Sequence, residues 1–129
     1  TFPQTQTVDA NGNILGNATG CSKANFPNLA ATVTTVKTGP GILYALYVLN
    51  TTAATCFVQV FDLATAAAVT LGTTVPDEQI SCLTVAAAFL PIPSTIGVNF
   101  SKGIQIASTT AVGGGSGSAW GVYVYALYA

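Results

Sequence analysis

GILYALYVLNTTAATCFVQVFD, residues Gly41–Asp62, sets the fold class. Two runs rich in aliphatic, β-branched and aromatic residues flank the small, polar break Asn50-Thr51-Thr52-Ala53-Ala54. That pattern predicts a central β-hairpin with a loop of about four or five residues. Alternate side chains of a strand face opposite sides, so Ile42, Tyr44, Leu46 and Val48 share one face and Leu43, Ala45, Tyr47 and Leu49 the other. Both faces are apolar. A hairpin wetted on one side would alternate apolar with polar, so this one is expected to be covered twice, by its own core and by a second body.

Upstream, Thr1–Asn28 is rich in Thr, Asn, Gln and Gly, carries Pro3 and Pro27, and has no strand or helix period. Asn11-Gly12 is a tight-turn signal within VDANGNIL. Residues 1–29 are expected to form an extended arm or edge strand that reaches a neighbouring subunit. Ala30–Lys37 suits a strand, closed by Thr38-Gly39-Pro40-Gly41.

Downstream, Leu63–Gly72 is too short and uncapped for a helix and is expected to be a loop with one helical turn at most. Thr73–Glu78 is a turn. Gln79–Ala87 reads as a strand, stopped by Leu90-Pro91-Ile92-Pro93-Ser94 because proline is excluded from central ladders. Ile96–Phe100 and Gly103–Thr109 follow, joined tightly at Ser101-Lys102. Val112–Ser118 (VGGGSGS) reads as a hairpin loop before a last strand, Trp120–Tyr128, with aromatic residues on both faces. About seven strands with short loops predict an all-β antiparallel sandwich or jelly roll over residues 30–129.

Composition narrows the function. Half of the 129 residues are hydrophobic and 5% are charged, against roughly 25% in an average domain. A surface so poor in charge favours self-association. With a net charge of −1 and no basic cluster, the counterion release that drives nucleic-acid binding is almost absent, so no direct nucleic-acid partner is expected. The longest apolar runs, Gly41–Leu49 and Leu83–Ile92, are about half a helical membrane span, and an outer-membrane barrel would need a polar lumen face. No membrane partner is expected. Residues 1–30 show no signal-peptide pattern. Cys21, Cys56 and Cys82 lack the close spacing of zinc ligands, and the latter two are expected to be buried thiols of a protein made in a reducing cytoplasm.

The remaining motifs favour bland readings. Asp9, Asn11 and Asn13 open like a calcium loop, but Ile14 and Gly20 stand where glycine and a bidentate glutamate belong. Asp77 and Glu78 are adjacent and diverge. Gly113–Gly117 lacks the lysine of a phosphate loop. Asn17, Asn50 and Asn99 begin N-x-Ser/Thr triplets of the kind that arise by chance in a Thr-rich chain. There is no histidine, no partnered nucleophile, and the acids Asp9, Asp62, Asp77 and Glu78 fall in turns or at strand ends, so neither catalysis, metal nor cofactor is expected. Tyr44, Tyr47, Phe57, Phe61, Trp120, Tyr123, Tyr125 and Tyr128 are the expected interface residues, since aromatics are enriched and charges depleted where subunits meet.

GPGILYALYVLNTTAATCFVQVFDLA (Gly39–Ala64), a Pro-interrupted strand, SKGIQIASTT (Ser101–Thr110) and the final aromatic strand together resemble small tailed-bacteriophage virion proteins over Thr34–Tyr128. The resemblance implies a structural protein: a capsid decoration or cement protein, or a fibre or tail component, built as a β-sandwich and commonly trimeric. It brings no site residues with it. The expected partners are further copies of the chain and the major capsid protein or another virion protein, with assembly in the host bacterial cytoplasm. One alternative is a head or tail fibre module binding host glycans through exposed Tyr or Trp and the loops Ala64–Gly72 and Val112–Ser118. Another is a secreted or filament-forming bacterial β-protein.

Overall fold

The computed structural model describes residues 11, 21–83, 86–91, 97–117 and 122–129. Apart from Asn11, which lies in a turn, the expected turn at VDANGNIL lies outside them, as do Trp120 and most of the expected arm. Among the described residues there are nine strands: β1 Ser22–Phe26, β2 Thr34–Thr38, β3 Gly41–Asn50, β4 Cys56–Phe61, β5 Glu78–Cys82, β6 Ala86–Pro91, β7 Val98–Phe100, β8 Gly103–Thr109 and β9 Val122–Tyr128. They form two sheets. The first runs β1-β9-β3-β6, with β7 also on β3, and the second β2-β8-β4-β5.

All pairings are antiparallel, and they nest. β4 pairs with β5, β3 with β6 and β7, β2 with β8, and β1 with β9, like one long ribbon folded back at the β4–β5 end. Successive pairs go to alternate sheets, and β3–β9 and β4–β8 contacts zip the coiled ribbon together. This is the wrapping of a jelly roll. The expected all-β sandwich is therefore present, with one of its strands broken in two: β6 lies along Ala45–Asn50 of β3 and β7 along Gly41–Leu43.

The central hairpin is corrected. β3 and β4 belong to different sheets, and Thr51–Thr55 crosses between them. Turn chemistry at Asn50–Ala54 serves a hairpin and an inter-sheet crossing equally, since either needs the chain to reverse within a few residues. The stretch expected as one strand, Gln79–Ala87, likewise splits into β5 and β6 in opposite sheets, and the described part of the expected hairpin loop, residues 112–117, belongs to a crossing from β8 to β9. Pro91 is the last residue of β6, an edge strand of the first sheet, a place where proline is tolerated.

The core lies between the sheets. Leu43, Leu46 and Val48 of β3 and Val122, Val124 and Ala126 of β9 meet Val58 and Val60 of β4 and Ile104 and Ile106 of β8. The expected faces of β3 are also corrected, because the register slips between Leu43 and Ala45. A bulge adds one residue and flips the phase of alternation. Leu43 thus joins Leu46 and Val48 inside, while Tyr44 leaves that row.

The segment before residue 30 is partly built into the sandwich. Ser22–Phe26 is the edge strand of the first sheet, Ala24 and Phe26 pack on the core, and Leu29 is buried within it.

Candidate interaction face

The two sheets treat their outer faces differently. On the second, Phe61, Gln59, Gln105, Ala107 and Thr109 are all fully buried although they point away from the core, as alternation with Val58, Val60, Ile104 and Ile106 requires. The chain supplies its own cover there. The β4–β5 connection folds over the sheet, with a 3-10 turn at Ala66–Ala68 and Val69 buried, and the β8–β9 crossing lies beside it. Gln105 Nε2 donates to Leu63 O, Gln59 Nε2 donates to Thr109 Oγ1 and Gly114 O, and Gly113 N donates to Gln79 Oε1. A Cβ on Gly115 would stand 3.0 Å from Leu71 O, so glycine there permits the two loops to touch.

Asp62 anchors the same region. Its Oδ1 accepts from the amides of Lys102 (2.8 Å) and Gly103 (3.3 Å), and its Oδ2 from the amide (3.0 Å) and hydroxyl of Ser101. Burial works against its charge, but these donors prevail and hold the carboxyl below its usual value. The corner from β7 to β8 is fixed by this carboxylate, which the sequence marks only as a charge at a strand end.

Asn50 does a similar job at the opposite crossings. Its buried carboxamide N–H groups are shared among Ala54 O, Cys82 O and Leu83 O, while its Oδ1 accepts from the amide and hydroxyl of Thr52. One side chain thus ties the β3–β4 crossing to the start of the β5–β6 crossing. An Asn held in this way offers no attachment point for a glycan, whereas Asn99 is exposed.

The first sheet has no comparable cover among the described residues. Tyr47 (44% exposed), Tyr125 (41%), Leu49 (37%) and Leu127 (37%) lie on its outer face. Register places Tyr47 opposite Tyr125, Leu49 opposite Tyr123 and Ala45 opposite Leu127. The Tyr47 and Tyr125 rings are 6.4 Å apart between centroids and tilted by 54°, a tilted aromatic pair. Toward the β1 edge, Asn25 stands opposite Tyr125 and Lys23 opposite Leu127, so the apolar strip ends in a polar margin.

Of the expected interface residues, Tyr47, Tyr123 and Tyr125 are brought together here. Phe61 is sealed inside, Phe57 is half-buried on the other sheet, Tyr128 packs on the core, and Tyr44 sits half-buried at the bulge beside Gly97. Leu49 and Leu127 complete the strip. Alternation places Leu49 on the same row as Tyr47, but enrichment of aromatics at interfaces singles out neither leucine. The loops offered as glycan contacts lie on the second sheet, away from the exposed tyrosines.

Elsewhere a shallow depression of about 450 Å³ is lined by Lys37, Ile42, Asn99, Phe100 and Ser101, with one amine as its charged group. Among the described residues no three of His, Cys, Asp and Glu converge. None of the described helices is long and apolar enough to cross a membrane.

No family model and no curated protein matches the chain. A solved chain from the cyanophage Pam1 capsid asymmetric unit is similar at a TM-score of 0.29 with 18% identity, over 98% of this chain and 98% of its own. A likeness at that level carries no argument about fold or role.

Proposed function

We propose that the chain is a structural protein of a bacteriophage virion, which decorates or cements the shell and works through binding alone, without catalysis. The observation that supports this reading is the strip of Tyr47, Leu49, Tyr125 and Leu127, exposed among the described residues on one sheet of a sandwich whose other sheet is covered by the chain's own loops. Large apolar side chains grouped on one sheet face with a polar margin have the make-up of a protein interface. Burying them against copies of the chain or a shell protein contributes about 25 cal/mol per Å². The resemblance of Gly39–Ala64 and Ser101–Thr110 to phage virion proteins supports the same reading. The jelly-roll wrapping agrees by analogy only, since viral capsid and lectin domains both use it.

Tagged protein mixed with phage particles from the organism encoding it, then sedimented, tests this. Wild type is expected to travel with the particles and a Tyr47→Lys/Leu127→Lys variant to stay in the supernatant. Wild-type protein left in the supernatant would overturn the reading.

A further inference from the structure

Cys56 and Cys82 stand directly opposite each other on β4 and β5. Both thiols face inward, 1% and 2% exposed, and the Cys82 thiol donates to Val48 O across the core. Opposed residues of an antiparallel pair have Cα atoms about 4.5–5.5 Å apart, within the roughly 4.4–6.8 Å that a disulfide bridges. Their Cβ atoms, about 4.5–5.5 Å apart, must close by up to an ångström or so.

Place in the fold adds to geometry. Cys56 is the first residue of β4, just after the crossing Thr51–Thr55, and Cys82 is the last of β5, an edge strand followed by the exposed Leu83. The pair therefore lies at the rim, where fraying of one strand end admits a small reagent without opening the core.

We infer that Cys56 and Cys82 form a redox modification site, a dithiol that a small-molecule disulfide converts into a cross-strand staple between β4 and the edge strand β5. One protein thiol, its proton lost to solvent, attacks a sulfur of the oxidant, here glutathione disulfide, and expels one glutathione thiolate. The second protein thiol, likewise deprotonated, attacks the protein sulfur of that mixed disulfide and expels the other glutathione. Two protein thiols are oxidised to one disulfide, and one disulfide is reduced to two thiols. Burial, and then the neighbouring Cys82, push the Cys56 thiol up to about 11, so that thiol is slow to attack. The staple locks the tip of the folded ribbon and closes the loop that covers the second sheet. The site is independent of the assembly role and goes beyond it.

The test uses Cys21→Ser protein, because Cys21 is exposed and would exchange on its own. The folded protein is incubated with glutathione disulfide below its melting temperature, then unfolded, alkylated and weighed. The expected product has lost two hydrogens, takes up no alkylating agent, yields a Cys56–Cys82 linked peptide, and melts several degrees higher than the dithiol form. Adding Cys82→Ser should abolish both the linked peptide and the shift. Two alkylated thiols, or a glutathione adduct that never resolves, would overturn the inference, and so would a linked protein that melts no higher.

Discussion

Asp62 shows how much a single exposed-looking charge can organise. Its carboxylate accepts three amides and a hydroxyl from Ser101–Gly103, so its ionised form is favoured by folding. A carboxyl held below its unfolded value stabilises the protein above the unfolded pKa, and that contribution disappears as pH falls through the folded one. Asp62→Asn keeps one acceptor oxygen and loses the charge. It should cost about 1 kcal/mol at neutral pH in urea unfolding, a modest figure because the site is partly wet. The gap between variant and wild type should close as pH drops below about 4. A gap that stays constant into acid would show that shape, not charge, carries the effect. None of this was legible in the sequence, where Asp62 stands alone at a strand end and its donors lie some forty positions on. Asn50 was opaque for the same reason: it reads as the start of a loop, while its partners Cys82 and Leu83 are supplied by another crossing.

At the scale of elements, strands are legible in the sequence and their connections are not. Gly103–Thr109 has the same bounds in sequence and structure, and the turn of helix expected in Leu63–Gly72 is the 3-10 turn Ala66–Ala68. Alternation and turn residues are local signals and survive folding. Which strand pairs with which is decided by contacts far apart in sequence, so a crossing such as Thr51–Thr55 looks like a hairpin loop until β9 and β6 are seen to occupy both edges of β3. The self-covered second sheet illustrates this further, because Gln59 and Gln105, which alternate with core residues, are buried by loops that bond to their side chains. That cover is tightly fitted. A Cβ on Gly103 would stand 2.6 Å from Leu63 O and 3.1 Å from Lys37 O, both backbone atoms that cannot swing aside. Gly103→Ala is therefore expected to destabilise the fold by about 1–3 kcal/mol, read as a lower melting temperature. An unchanged melting temperature would mean that the β4–β5 connection is looser than its hydrogen bonds imply.

For the whole molecule, the asymmetry between the sheets is what links fold to role. Two-sided apolar strands were expected to be covered twice, and the structure divides that expectation: β4 and β8 obtain their second cover from the chain's own loops, while β3 and β9 present Tyr47, Leu49, Tyr125 and Leu127 outward. With 5% charged residues, assembly through this strip would depend little on ionic strength. Lysines placed on it would keep the fold, since these side chains are outside the core, but would make burial against a second copy costly. The most direct measurement is the mass in solution by light scattering, at low and high salt, of wild type and of Tyr47→Lys/Leu127→Lys, with melting temperatures taken in parallel. The account predicts a wild-type oligomer that persists in high salt and a variant that is monomeric with a nearly unchanged melting temperature. A wild type that is monomeric at every concentration, or a variant that assembles as wild type does, would contradict it.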